Sequence, residues 1–284
     1  MKLKSRAKRI GQNLTGYWFY RRRHLPRGTD LVWDIQRHWG RNRIRNALDI
    51  GANVGQFSGP FHEAFPTAVI HCFEPVAATF ARLSRRFQGA SQVHCHNLGL
   101  GSREGEAGIF VNPDDTESSL VAHYGAYREE TVKLSTVDAF CQRQGLDQID
   151  FVKIDTEGFE IEVLNGATRM LAEHKISLLL VETELIPSKK VFIPLLELNG
   201  LLAHFDYELF GIYHQQQHWD GKKSLYFVNA LFAAPELVGH GAGSSSRATD
   251  RWVWDHRTTG PPTGLLERNN DHKTTRPRTT HSDL

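Results

Sequence analysis

From Asn46 onward, short apolar runs alternate with amphipathic ones. A chain satisfies that pattern by laying parallel strands in one sheet and wrapping helices over both faces. The runs that read as strands are ALDI (47–50), AVIHCFE (68–74), QVHCHNL (92–98), IDFVKID (149–155), ISLLLVE (176–182), YELFGIY (207–213) and SLYFVNALF (224–232). Helical segments lie between them, GQFSGPFHEAF (55–65) and AATFARLSRRF (77–87) among the first, the latter with Phe80, Leu83 and Phe87 at helical spacing. After the fourth strand, Phe159, Val163, Gly166 and Met170 make one stripe with Leu164, Ala167 and Leu171 beside it, while Glu160, Glu162 and Arg169 face away. Residues 99–135 interrupt the alternation: GEAGIFVN and ETVKLST read as extended strands around a polar loop, an insertion placed to roof a site.

This pattern divides the chain into a basic arm (1–45), an α/β domain (46–235) and a tail (236–284). The tail is rich in Gly, Ser, Thr, Pro and Arg with little periodicity, a composition expected to be disordered. The formal net charge of +2 hides an asymmetry: residues 1–27 carry nine Lys and Arg and no Asp or Glu, while residues 28–239 carry 18 basic and 27 acidic side chains. The acidic body disfavours nucleic acid as a partner, since phosphate contacts require local positive charge. Cys72, Cys95 and Cys141 are odd in number and widely spaced, which reads as reduced thiols in a cytoplasmic chain, neither a disulfide frame nor a zinc site. No run approaches the length of a membrane span, and the N-terminus lacks the apolar stretch of a secretory signal.

The stretch ALDIGANVGQFS (47–58) joins the first strand to the first helix. Loops there point backbone N–H groups at ligands, and glycine permits close approach. Glu74, nineteen residues past Gly55 at the tip of the second strand, is placed to accept both hydroxyls of a ribose. Which nucleotide follows from the loop's details. A dinucleotide fingerprint spaces three glycines differently, and Asp49 at the loop's mouth is a poor neighbour for a pyrophosphate. The same carboxylate suits the amine and sulfonium of S-adenosylmethionine. A ligand-free strand-to-helix turn is the bland alternative.

The motifs LDIGANVGQFS, FEP (73–75), NLGLG (97–101), SSL (118–120), STVDAF (135–140) and VKIDTEGFEIEVLNGATRML (152–171) resemble, in order, the FkbM family of S-adenosylmethionine-dependent methyltransferases. The resemblance spans roughly residues 46–230, with KIDTEGFE…VLNGA its most specific piece. Thr156 stands where an aliphatic residue is usual in the family, and Gly99 where alanine is. It implies a Rossmann-like, seven-stranded class I methyltransferase sheet and an O-methyltransferase acting on hydroxyls of sugars, glycolipids, polysaccharides or secondary metabolites. Carried over by position, Asp49, Gly51, Asn53 and Gly55 would surround the methionine part of the cofactor, Glu74 would hold the ribose, and Asn97 and Leu98 would lie near the adenine.

Methyl transfer to oxygen needs alignment and a base. KIDTEG ends the fourth strand, where ligands of open α/β sheets sit. On an extended segment Lys153, Asp155 and Glu157 point one way, and neighbouring carboxylates raise one another's pKa. Asp155 is therefore the candidate nearest the transferring methyl, with Glu157 as alternative base or hydrogen-bond acceptor. A Lys–Asp structural pair and a helix N-cap carboxylate are the bland readings. A metal-assisted variant would cluster Asp155, Glu157 and Glu182 across strand ends, but no oxygen-ligand loop is evident and no metal ligand is assigned. His94 and His96 share a strand face without a third ligand at suitable spacing; His123 and His214 are weaker candidates for auxiliary bases. In the arm, Ile10, Leu14, Tyr17 and Trp18 recur at helical spacing before an arginine cluster, as in segments that lie on anionic membrane surfaces or pack on their own domain. Two other functions stay open at this level: an NAD(P)-dependent oxidoreductase on a similar sheet, and an inactive binding module at the membrane surface.

Overall fold

The computed structural model describes residues 21–111, 118–119, 128–185, 192–217 and 224–239. In chain order the strands are β1 (Asn46–Ile50), β2 (Val69–Phe73), β3 (Val93–His96), β4 (Gly99–Leu100), β5 (Gly105–Val111), β6 (Ser118–Ser119), β7 (Arg128–Ser135), β8 (Phe151–Ile154), β9 (Leu178–Glu184), β10 (Glu208–Tyr213) and β11 (Phe227–Ala233). The helices are α1 (Leu31–Trp39), α2 (Ser58–Ala64), α3 (Ala77–Arg86), α4 (Val137–Gln144), α5 (Glu160–Asn165), α6 (Thr168–Ala172), α7 (Leu195–Ala203) and α8 (Pro235–Val238). Seven strands form the main sheet in the order β10-β11-β9-β8-β1-β2-β3. Its pairings are parallel except that β11 runs antiparallel to both β9 and β10. The seven strands read from the sequence are these seven.

Alternation along each strand sends side chains to two separate cores, which is why the strands read as continuous apolar runs. On one face Leu48, Ile50, Val152, Ile154, Leu179 and Val181 pack against Phe140 of α4, Val163 and Met170 of α5 and α6, and Leu202 of α7. On the other, Ala47, Ile70, Phe151, Leu178, Leu180 and Leu231 pack against Ile35 of α1, Phe61 of α2 and Leu83 of α3. Asp30 caps α1 by accepting from the Trp33 N–H, and Asp34 and Ile35 are buried against the sheet. The insertion forms a second sheet, β4-β7-β5-β6.

The long helix expected after the fourth strand is two short ones. Asp138 of α4 accepts from the N–H groups of Arg169 (2.8 Å) and Met170 (3.0 Å), which caps a fresh helix start there. Glu160, expected to face solvent, is 1% exposed. Cys72 and Cys95 are register partners on β2 and β3, and all three cysteines are free thiols. No helix among the described residues is long and apolar enough to cross a membrane. The arm's helical stretch at 10–18, His123 and the tail beyond Gly239 lie outside the described residues.

Candidate active site

From β1 the chain goes to β2 and β3 on one side of the sheet and later to β8 and β9 on the other. The carboxyl ends of β1 and β8 are thus a topological switch point, where open sheets bind ligands. A cavity of about 870 Å³ opens there, within the range of small-molecule sites. It runs from Glu74 and Leu98 at one end to Glu182 and Asn229 at the other.

The first end is built from main chain. Gly51 has φ +83°, and a Cβ on it would stand 1.8 Å from the Asp155 carbonyl oxygen, so only glycine lets β1 and β8 end side by side. The Gly51 and Ala52 N–H groups donate to the Phe73 carbonyl at 3.1 and 2.9 Å, and the Gly55 N–H to the Ala52 carbonyl at 2.8 Å. Asn53, at φ +48°, donates its N–H to Glu74 Oε2 at 3.1 Å, and Val76 donates to Oε1 at 2.9 Å. Glu74 is thereby fixed in the cavity wall at 6% exposure. The expectation that this loop aims its N–H groups at a ligand is corrected: at 51, 52, 53 and 55 they are bonded within the protein.

Of the residues expected around a cofactor, Gly51, Asn53, Glu74 and Leu98 line the cavity. Asp49, Gly55 and Asn97 are among its supports. Asp49 is buried, accepts from Ser58 Oγ at 2.5 Å and stands 3.7 Å from Lys153 Nζ. A Cβ on Gly55 would run into Phe87 at the end of α3. Asn97 Nδ2 donates to the carbonyls of Glu74 and Pro75 at 3.0 and 2.8 Å, holding the turn that presents Glu74.

The other end is built from side chains. Lys153 pairs in register with Asp49 and with Leu180, Glu182 pairs with Asn229, and Asn229 with Tyr213. Two residues beyond Lys153 and Leu180, on the same face, stand Asp155 and Glu182. A polar row of Asp155, Glu182, Asn229 and Tyr213 therefore crosses four neighbouring strand ends, and all four line the cavity. Lys153 Nζ donates to Asp155 Oδ2 at 2.8 Å. Burial alone would raise the Asp155 carboxyl; Lys153 and a hydrogen bond from Glu182 outweigh it and hold Asp155 below the usual carboxylate range. Glu182 is pushed the other way, to about 10, by burial, then by the Asp155 charge and their shared hydrogen bond. Near neutrality Glu182 is thus the protonated donor and Asp155 the ionised acceptor.

Glu157, at φ +54°, turns the chain after β8 and brings a carboxylate oxygen to the same cluster: one oxygen each of Asp155, Glu157 and Glu182 lies within 4.8 Å of the others. The turn is pinned by Glu160. Its Oε1 accepts from the Thr156 N–H (3.0 Å), the Thr156 hydroxyl (3.0 Å) and the Gly158 N–H (3.1 Å).

A family model described as the methyltransferase FkbM domain matches residues 49–209, more than half of the chain. The chain belongs to the FkbM methyltransferase family. It is 23% identical over 142 residues to the 2-O-methyltransferase NoeI of Sinorhizobium fredii, a match covering 44% of this chain and 58% of NoeI. It is 29% identical over 152 residues to the methyltransferase sdnD of Sordaria araneosa, covering 42% of this chain and 59% of sdnD. The chain thus spans a little over half the length of these relatives. Among solved structures, M. capricolum TrmK in complex with S-adenosylhomocysteine superposes with a TM-score of 0.41 at 11% identity, over 68% of this chain and 63% of that one.

Glu160, Asn229 and Tyr213 were not singled out as site residues from the sequence, and Glu182 entered only in the metal-assisted variant. The available signal was a polar residue inside an apolar strand: Asn229 in YFVNALF and Glu182 in LLLVETE. The site is also walled from the N-terminal side by Leu25, Thr29, Leu31 and Val32, and from the insertion by Ile109. His214, at φ +45°, lines the cavity. His94 and His96 stack on His71, with ring centroids 5.2 and 5.3 Å from it, and none of the three lines the cavity. Burial and the two neighbouring rings lower His71 to about 4.

Proposed function

We propose that this chain transfers a methyl group from S-adenosylmethionine to a hydroxyl oxygen of a sugar, glycolipid, polysaccharide or secondary metabolite. The observation that carries the cofactor choice is the bonding of the first-strand loop. A pyrophosphate needs free N–H groups at that loop. Here the Asn53 N–H is bonded to the Glu74 carboxylate and those of Gly51 and Ala52 to the Phe73 carbonyl. A nucleoside without phosphates fits this wall, with Glu74 on the ribose hydroxyls, Leu98 beside the base, and Gly51 and Asn53 near the amino-acid part. When bound, the cofactor supplies an electrophilic methyl group on a sulfonium.

The chain's own task is to orient a hydroxyl and remove its proton. Asp155, ionised and oriented by Lys153, accepts the hydroxyl's hydrogen bond and then its proton as the oxygen gains the methyl. Glu157 and Glu182 flank the same oxygen. That the relative NoeI is named a 2-O-methyltransferase agrees with an oxygen as the methyl acceptor. In this reading residues 46–235 carry the reacting and nucleoside-binding side chains of a cytoplasmic protein, and the basic arm, with nine Lys and Arg in residues 1–27, brings it to an anionic membrane face bearing a lipid-linked acceptor. Calorimetry with S-adenosylhomocysteine and with NAD tests the cofactor: binding of the first alone is expected, and binding of NAD alone overturns the reading. Labelled S-adenosylmethionine offered with lipid and polysaccharide extracts tests the acceptor, and liposome flotation of the full chain against one starting at Gly28 tests the arm.

A further inference from the structure

We propose that Asp155, Glu157 and Glu182, with the amide oxygen of Asn229, form a binding site for a hard divalent cation of the Mg²⁺ or Mn²⁺ class. Two independent observations meet there. The first is spacing: one carboxylate oxygen from each acid lies within 4.8 Å of the other two. Oxygens that ligate one ion at about 2.0 to 2.4 Å stand no farther apart than roughly twice that length. The second is Asn229. It is 7% exposed, it lines the same cavity, and its Oδ1 has no hydrogen-bond partner among the described residues. A buried carbonyl oxygen left without a partner is costly, so it points to a ligand.

The sheet register places this oxygen beside the acids. Asn229 and Glu182 are directly opposite on β11 and β9, so their side chains leave the same face about 5 Å apart. The donor set is all oxygen, three carboxyl groups and one amide, with the ion taking the place of the proton that Glu182 shares with Asp155, which suits a hard cation and neither zinc nor copper. Lys153 bonds Asp155 Oδ2 and approaches Asp49 on β1. Glu182 and Asn229 extend the cluster away from it, across β9 and β11.

The role of the ion rests on the O-methyl-transfer reading. A cation held here would take the acceptor hydroxyl as a further ligand and lower its pKa, leaving Asp155 an easier proton to remove. An ion of this class takes about six oxygens and four are supplied here, which leaves two positions for acceptor oxygens, so the acceptor class it favours is a vicinal diol.

The test uses the full chain stripped of metal by a chelator and titrated with Mn²⁺, reading the loss of the free-ion electron paramagnetic resonance signal. One ion bound per chain is expected, with affinity lowered at least tenfold in both Glu182→Gln and Asn229→Leu. Glu157→Gln, at a more exposed turn, repeats the measurement if either buried change prevents folding. Binding of S-adenosylhomocysteine is measured on the same samples. Nucleoside binding without Mn²⁺ binding up to millimolar concentration overturns the cation site and leaves the methyl-transfer reading standing, as does Mn²⁺ binding that these variants leave unchanged. Mn²⁺ bound at these residues without nucleoside binding keeps the site and removes the methyl-transfer role.

Discussion

The two ends of the cavity are held by different means. At the Glu74 end, main-chain N–H groups of Asn53 and Val76 grip both oxygens of one carboxylate, and the residues involved fall within a short stretch of sequence. At the Asp155 end, side chains from β8, β9, β11 and β10 face one another across the sheet, and what they hold in common is charge and protons. A backbone-held end fixes shape, so it suits binding. A row of side chains whose ionisation depends on its neighbours suits chemistry. If that division is right, substitutions at the two ends fail differently.

The largest effect is expected for Asp155→Asn, which keeps the size of the side chain and removes the proposed proton acceptor. Turnover should fall by about 10² to 10⁴, the range for a lost general base, while affinity for S-adenosylhomocysteine stays within about threefold. Single-turnover rates with labelled cofactor and calorimetry on the same variant measure both. Equal losses in rate and nucleoside affinity would erase the division between the ends. Gly51→Ala strikes where they meet. The added methyl would overlap the Asp155 carbonyl at 1.8 Å with φ at +83°, so the β1 and β8 tips must separate. The expected cost is about 3 kcal/mol of stability with loss of nucleoside binding. A urea midpoint equal to that of the parent would show that the two tips are not rigidly joined.

The same contrast governs what the sequence could reveal. The Glu74 end was legible because its parts are local: the loop after the first strand and an acid nineteen residues past Gly55 imply one another. Even so, Asp49 and Gly55 do not line the cavity: Asp49 lies under the loop against Ser58, and Gly55 packs against Phe87. The seven strands were legible from alternation alone. The Asp155 end was half legible: Asp155 and Glu157 stand in one motif, but Asn229 and Tyr213 join them only through the reversed strand β11 and its register, which periodicity does not supply. Glu160 was misread as a solvent-facing helix residue because it folds back into the turn at Thr156 and Gly158. The wall made by Leu25, Leu31 and Val32 precedes the first strand and so lies outside the alternation that marks the domain.

Glu74→Gln sharpens the comparison from the binding side. Its amide offers one oxygen where the carboxylate offers two, so either the Asn53 or the Val76 N–H loses its acceptor. The ribose hydroxyls likewise meet a neutral amide in place of a carboxylate, and loss of one hydrogen bond to a charged group corresponds to about 2 kcal/mol, or roughly thirtyfold weaker binding of S-adenosylhomocysteine. The rate at saturating cofactor should be unchanged, since the proposed proton acceptor is untouched. A rate loss that saturation does not restore would mean that Glu74 shapes the reacting end as well.

The smallest effect is expected for Tyr213→Phe, and it decides to which end the α1 wall belongs. The Tyr213 hydroxyl donates to Asp34 Oδ2 at 2.9 Å, and the Gly28 N–H donates to the same oxygen at 2.9 Å. Removing the hydroxyl leaves the buried Asp34 with one of these partners, so the stability cost should be about 1.5 kcal/mol. Tyr213 closes the polar row on β10, and α1 supplies Leu31 and Val32 to the cavity beside it. Loosening that contact should raise the acceptor KM a few-fold, as for a lost positioning contact, with nucleoside affinity unchanged. A fall in nucleoside affinity with the acceptor KM unchanged would move α1 to the backbone-held end, and the division would then run through the N-terminal wall instead of between β1 and β8.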